Sequence, residues 1–235
     1  SVFDKQSGLP RNLTHDLRRH DGTFYAATAE GLLRLVPADT ATGTPARFEP
    51  VPGVRDPCWS LASHPAGLLI ATGRGVLQLP KGGGAPQLIF EAADGVSKLA
   101  ALRGQPDRMF VGRFIGLNVL RFADGRWRDE GGVPGLKTEI RTVAEAADGV
   151  VWLGTPTRGF IKVVRPAGSR ADDWSRATFS SYREDHGLPT EQGWSHVYAP
   201  GDRVVFVTDS GTFTYDGAAD QFRVDPDLQI AGRHA

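Results

Sequence analysis

The chain has 235 residues, enough to bury a sizeable core. Its 27 Lys and Arg residues balance 27 Asp and Glu residues, so net charge gives no argument for a nucleic-acid partner or a membrane-surface binder. A single cysteine, Cys58, excludes an intrachain disulfide. The 29 glycines and 16 prolines are interleaved with Val, Leu, Phe and Trp, which predicts a folded, turn-rich β protein.

A β-hairpin pattern recurs five times along the chain. Each copy begins at a turn, runs through an apolar strand into small residues, and reaches an isolated glycine before a second apolar strand. The copies are DGTFYAATAEGLLRL from Asp21, AGLLIATGRGVLQL from Ala66, DRMFVGRFIGLNVL from Asp107, DGVVWLGTPTRGF from Asp148 and DRVVFVTDSGTFTY from Asp202. Their turn glycines are Gly31, Gly75, Gly116, Gly159 and Gly211. Glycine supplies the positive φ that a tight hairpin turn requires.

A second marker keeps step with the hairpins. An aromatic residue is followed five positions later by glycine, as in Phe48 and Gly53 or Tyr182 and Gly187, and a short apolar segment comes next. Each unit of about forty residues therefore contains four short strands, the pattern of a β-propeller blade. The predicted fold is an all-β propeller with five four-stranded blades, over residues 9–50, 54–91, 96–129, 133–183 and 188–224.

One outer strand is in excess of the five hairpins. Aromatic markers of the last strand number six, from Phe3 to Phe222, and the fifth blade already has its own marker at Phe222. Residues 1–6 are therefore expected to be the outer strand of a preceding blade, and the chain to be part of a larger propeller.

The segments GLPRNLTHDLRRHDGTFYAATAEGLLRL and DGVVWLGTPTRGFIKV resemble the two-component regulator propeller repeat. That resemblance implies the extracytoplasmic, periplasmic sensor of a bacterial membrane protein whose output is a histidine kinase or a diguanylate cyclase. It also implies that any kinase or cyclase lies outside this chain. No apolar run approaches the ~20 residues of a membrane helix, so membrane attachment is expected only through segments outside this chain.

The candidate ligand-binding residues come from the hairpin turns and from the loops that precede the innermost strands, which ring one mouth of a propeller channel. Exposed charges need no function, but three arginines on one face would converge on an anionic group such as a uronate, a sulfate or a phosphate. Aromatic residues beside them would contact a sugar ring. The candidates are Arg74, Arg113, Phe114 and Arg158 in turns, Lys98, Lys137 and Trp194 in loops, and His196 on an innermost strand.

Other motifs favour structural roles. VTDSGT at Val207 has the local form of an aspartic-protease loop, but the chain holds one copy where that chemistry needs two carboxylates. KGGGAP at Lys81 lacks the features of a phosphate loop, and the histidines show no metal-binding spacing. No catalytic residue, metal or cofactor is therefore assigned. The sequence favours a non-enzymatic, ligand-sensing module for a small molecule or an acidic glycan, with a homodimer possible in the full-length protein.

Two alternatives stay open. The first is a propeller enzyme, a lyase or a hydrolase whose site is assembled from several blades, and the second is a protein-interaction scaffold.

Overall fold

The structure is a computed structural model that describes residues 7–10, 13–157, 159–166, 168, 173–189 and 193–228. Its strands form five four-stranded antiparallel sheets, each built from strands consecutive in sequence. The chain is therefore an all-β propeller, as its repeats predict. The predicted strand over residues 1–6 lies outside the described residues. No helix among the described residues has the length and apolarity needed to cross a membrane.

The blades are numbered in chain order. Blade 1 contains β1–β4: Thr14–His20, Thr23–Thr28, Gly31–Val36 and Arg47–Pro50. Blade 2 contains β5–β8: Cys58–His64, Gly67–Thr72, Gly75–Pro80 and Gln87–Glu91. Blade 3 contains β9–β12: Val96–Leu102, Gln105–Arg113, Gly116–Ala123 and Arg126–Gly132. Blade 4 contains β13–β16: Thr142–Glu145, Val151–Gly154, Phe160–Val164 and Thr178–Tyr182. Blade 5 contains β17–β20: His196–Tyr198, Val205–Thr208, Gly211–Asp216 and Gln221–Val224.

The chain divides into two compact units. Unit 1 comprises Ser1–Leu99 with Asp124–Trp127, and unit 2 comprises Ala100–Ala123 with Arg128–Ala235. Unit 1 therefore holds blades 1 and 2 with parts of blade 3, and unit 2 holds the rest.

Four of the five hairpin turns have a common construction. A threonine at the end of the second strand donates its hydroxyl to the carbonyl oxygen beyond the turn, as Thr28 does to Gly31 at 2.9 Å and Thr72 to Gly75 at 3.0 Å. Gly31 and Gly75 have φ angles of 120° and 137°, a region that side chains rarely adopt. A Cβ on Gly75 would also lie 2.0 Å from the carbonyl oxygen of Phe90. These glycines are required by backbone geometry and by close packing together.

Unit 1 has an aliphatic core between blades 1 and 2. Its fully buried members include Leu32, Leu61, Leu68 and Ile70, with Cys58 among them. The Cys58 thiol donates to the Asp56 carbonyl oxygen at 3.3 Å, and burial raises its pKa to about 12.

Unit 2 has a second kind of core between blades 4 and 5, built from aromatic rings. Trp152 contacts four of them, with centroid distances of 5.3 Å to Tyr182, 4.9 Å to Phe206, 4.8 Å to Tyr215 and 5.8 Å to Phe222. Most of these pairs have the edge-to-face arrangement that aromatic quadrupoles favour. Between blades 3 and 4, Phe110 packs with Trp174 in the same way at 5.2 Å.

Within each unit, polar side chains on innermost strands link one blade to the next. Asp16 accepts a hydrogen bond from the Leu61 amide at 2.8 Å, and Ser60 accepts one from the Leu99 amide at 3.2 Å. In unit 2, Thr142 accepts one from the Val197 amide at 2.9 Å. The repeat therefore places an acceptor where the first strand of the following blade presents a backbone N–H group.

Candidate ligand-binding site

A row of three rings, two of them exposed, lies along the innermost strand of blade 5 and the residues just before it, in unit 2. Trp194, His196 and Tyr198 occupy alternate positions, so their side chains project from one face of the strand. The ring planes of neighbours lie within 9° of each other, with centroids 6.1 Å and 6.3 Å apart. Trp194 is 46% exposed and Tyr198 52%, whereas Val197 on the opposite face is buried. The row is an accessible aromatic surface.

Arg141 joins this row to blade 3. Its guanidinium carbon lies 4.7 Å from the Trp194 ring centroid and 5.8 Å from that of Phe114. Both distances fall in the range of cation–π attraction, which is strongest at tryptophan. Its Nε atom lies 2.5 Å from a carboxylate oxygen of Glu139. The four side chains form a cluster, called here the Arg141 cluster, of Phe114, Glu139, Arg141 and Trp194.

Backbone hydrogen bonds hold the loops of the cluster in register. The Ile140 amide donates to the Arg113 carbonyl oxygen at 3.0 Å, which ties the turn of Phe114 to the segment before β13. The Ser195 amide donates to the Thr155 carbonyl oxygen at 3.1 Å, which ties the start of β17 to blade 4. The rings therefore stand on loops fixed by three blades.

The structure brings together three of the predicted site residues: Phe114, Trp194 and His196. Arg113 is nearby in sequence but ends β10, at the position that threonine occupies in the other blades, and its Nη1 atom donates to the Asn118 side chain at 3.2 Å. Lys137 is exposed in the loop between β12 and β13. These two cations therefore belong to the same unit as the Arg141 cluster.

Two predicted residues lie in unit 1. Arg74 occupies its hairpin turn as expected, and its Nε atom pairs with a carboxylate oxygen of Asp56 at 2.7 Å. Lys98 is the third residue of β9 and does not lie in the loop before that strand. Burial lowers its pKa, and the charge of Asp16 opposes this effect. Lys98 occupies the position in β9 that Ser60 occupies in β5, since each directly precedes a leucine. Ser60 accepts a hydrogen bond from the following blade at this position, whereas the ammonium group of Lys98 cannot accept one.

Arg158 lies outside the described residues, so the predicted convergence of Arg74, Arg113 and Arg158 on one anion remains a prediction. Among the described residues, no group of three His, Cys, Asp or Glu side chains is placed to hold a metal ion.

Sequence reasoning missed Arg141 and Tyr198. The sequence did contain a signal for Tyr198. The stretch WSHVY alternates aromatic residues with small or apolar ones at the period of a strand, which places Tyr198 on the same face as Trp194 and His196. Arg141 had none, because its role depends on Phe114 and Trp194, which come from blades on either side of it.

Chemically, the site offers flat apolar faces beside a fixed guanidinium. Within the described part of the chain, the terminal nitrogens of Arg141 make no side-chain hydrogen bond, and its Nε atom forms an ion pair with Glu139. A guanidinium of this kind binds a carboxylate, sulfate or phosphate through its remaining N–H groups. The row of rings provides the apolar surface that small-molecule sites use for affinity.

Comparison with known proteins shows the fold alone. No family model and no curated protein matches the sequence. Among solved structures, virginiamycin B lyase from Staphylococcus aureus matches with 10% identity and a TM-score of 0.60 over 92% of this chain and 70% of the lyase. Regucalcin from Agrobacterium tumefaciens matches with 15% identity and a TM-score of 0.50 over 97% of this chain and 74% of that protein.

The extracellular domain of BT4673 from B. thetaiotaomicron, described as a hybrid two-component system, matches with 18% identity and a TM-score of 0.45. That match covers 95% of this chain, which spans 36% of the BT4673 domain.

Proposed function

We propose that this propeller is the ligand-binding sensor module of a bacterial membrane signalling protein, and that it binds an acidic glycan on the face of unit 2 that carries the Arg141 cluster. The observation that carries the proposal is Arg141, held by Glu139 against the rings of Trp194 and Phe114, beside the exposed row along β17. The sensor role and the extracytoplasmic location rest on the resemblance of the repeats to the two-component regulator propeller repeat.

The ligand class follows from the two kinds of surface in the site. The C–H faces of sugar rings pack on exposed aromatic rings such as Trp194 and Tyr198, which present large apolar areas with little loss of side-chain entropy on binding. The uronate carboxylate then pairs with the terminal nitrogens of Arg141. Arg113 and Lys137 add positive charge in the same unit, which favours an anionic over a neutral glycan.

The test is a calorimetric titration with trigalacturonate, using neutral maltotriose as the comparison ligand. The double variant Trp194→Ala, Tyr198→Ala is expected to weaken trigalacturonate binding at least tenfold. Phe179→Ala, which removes an aromatic ring of similar exposure on β16, is the matched control and is expected to leave binding unchanged. Equal affinities for the double variant and the control would contradict the proposed site.

Arg141 requires a conservative change, because its loss would leave Glu139 without its ion-pair partner. Arg141→Lys keeps the charge and removes the planar fork of donors. It is expected to weaken trigalacturonate binding and to leave maltotriose binding unchanged. Equal losses for both ligands would show that Arg141 positions Trp194 and does not contact the acid.

The sensor and enzyme alternatives differ in the fate of the probe. A binding module returns trigalacturonate unchanged after prolonged incubation, whereas accumulation of shorter or unsaturated products would establish the enzyme alternative. The location is checked by fractionating cells that express the full-length gene product, with recovery of the propeller from the periplasm or the outer face of the membrane as the expected result.

A further inference from the structure

An open groove lies in unit 1 between the sheets of blades 1 and 2. It has a volume of about 410 Å³. Val51 and Leu79 form its buried floor, and Pro52 and Pro86 lie along it. Tyr25 and Arg34, which are partners across β2 and β3, also line it.

The same place in blade 4 is filled by the protein's own aromatic rings. Trp152 and Lys162 are the partners across β14 and β15 that correspond to Tyr25 and Arg34. The Lys162 ammonium lies 4.7 Å from the ring centroid of Tyr215 and donates to its hydroxyl at 3.0 Å. A ring from the following blade therefore covers the cation.

In blades 2 and 3 the corresponding strand pair contacts a tryptophan. In blade 2, Gln78 corresponds to Arg34 and accepts a hydrogen bond from the indole nitrogen of Trp127 at 3.0 Å. In blade 3, Phe110 corresponds to Tyr25 and packs against Trp174, whose ring lies 4.8 Å from the guanidinium carbon of Arg165. In three other blades an aromatic ring thus contacts the residue that corresponds to Tyr25 or Arg34, and two of those rings lie against a cation.

The groove beside Tyr25 is open because the loop residues Gly83, Gly84 and Ala85, which line it, have no large side chain. The loop Lys81–Pro86 reads KGGGAP, and its glycines have positive φ. A Cβ atom placed on Gly83 or Gly84 would have no heavy atom within 4 Å. The loop borders the groove without filling it.

We infer that this groove binds a small aromatic carboxylate, whose ring takes the place that Trp127, Trp174 and Tyr215 occupy in the other grooves. Arg34 is the cationic residue of the groove lining, and among the described residues its guanidinium makes no side-chain hydrogen bond or ion pair. Its planar face can stack on the ring, and its N–H groups can bind the carboxylate. This site is separate from the Arg141 cluster, and the inference does not depend on the proposed function.

The first experiment titrates the protein with indole-3-acetate as the probe, followed by calorimetry. Arg34→Gln is expected to weaken binding at least tenfold, while binding of neutral indole changes less than twofold. Arg223→Gln, an exposed arginine of blade 5, is the control and should bind both compounds as the unsubstituted chain does. Absence of indole-3-acetate binding, or equal binding by Arg34→Gln, would overturn the inference.

A second variant fills the groove from inside. Ala85→Trp supplies an aromatic side chain from the loop itself, and it is expected to raise the thermal midpoint and to abolish indole-3-acetate binding. Trigalacturonate binding should be unaffected in this variant, which separates the two sites. Retention of indole-3-acetate affinity in Ala85→Trp, or capture of a tryptophan-containing peptide with no binding of indole-3-acetate, would assign the groove another occupant and overturn the inference.

Discussion

The interface between blades 1 and 2 and the interface between blades 4 and 5 solve one packing problem with different side chains. Both fill a wedge that widens away from the innermost strands. The first uses branched aliphatic residues such as Leu61 and Ile70, and the second uses rings such as Trp152 and Phe222.

This difference shows that the same propeller repeat can leave a groove between two blades when aliphatic side chains replace rings, at a cost in packing. The structure leaves Tyr25 half-buried, and no ring among the described residues covers it. Trp152 is 3% exposed at the corresponding position. The same backbone therefore buries the ring of Trp152 in unit 2 and leaves Tyr25 beside an open groove in unit 1.

The largest expected effect compares these two positions directly. Trp152→Ala is expected to lower the free energy of unfolding by about 3–5 kcal/mol, because it opens a cavity among four rings. Tyr25→Ala is expected to cost about 1–2 kcal/mol, because much of its surface is already in water. Urea denaturation followed by circular dichroism measures both. Equal losses at the two positions would show that the interfaces do not differ in packing as described.

A smaller effect is expected at the links between innermost strands. Thr142→Val keeps the shape of the side chain but leaves the buried Val197 amide without its acceptor, at a cost of about 1–3 kcal/mol. Ser60→Ala removes the corresponding acceptor of the Leu99 amide in unit 1. Since its bond is longer, at 3.2 Å against 2.9 Å, its loss is expected to be the smaller of the two in the same denaturation assay. The reverse order would mean that bond length does not rank these links.

The smallest effect concerns the polar edge of the aromatic interface. Hydrogen bonds from Tyr215 and Tyr182 hold the pKa of Asp220 below its ordinary value of 3.8. Because the folded-state pKa is lowered, the stabilising contribution is complete above pH ~4 and is lost as the pH falls through the lowered pKa. Asp220→Asn should therefore make the loss of stability below pH ~4 shallower, as measured by thermal midpoints between pH 5 and 3.

Two tyrosine variants check the origin of this pH dependence. Tyr215→Phe removes a donor to Asp220 and should also make the acid limb shallower. Tyr198→Phe, on the exposed row of blade 5, should leave it unchanged. An unaltered limb in Tyr215→Phe would show that this hydrogen bond does not set the pKa of Asp220.

The fold was predictable because its main determinants are local. The turn glycines Gly31 and Gly75 and the alternation within each hairpin specify strands and turns over a few residues, and their recurrence specifies the blades. The close approach of Gly75 to the Phe90 carbonyl oxygen was not predictable, since it depends on the pairing register of β7 with β8. Sequence patterns therefore identified the residues of the hairpin turns, and the structure showed which residues pack against those turns.

The candidate site was predictable only in part. Phe114, Trp194 and His196 follow from register, because register assigns residues to turns and innermost strands. Arg141 does not, since its importance depends on rings from neighbouring blades. The prediction placed Lys98 in the loop before β9. The strand begins at Val96, however, so Lys98 lies within it.

The single cysteine makes transient opening of the protein measurable. Cys58 lies at the start of β5 in the aliphatic interface, fully buried, with a pKa raised to about 12. Only the thiolate reacts quickly with disulfide reagents, so the native thiol is protected twice, by inaccessibility and by protonation. Its reaction rate at neutral pH is consequently a clock for transient opening between blades 1 and 2. Cys58 can therefore report the rate of local opening at this interface without an engineered label.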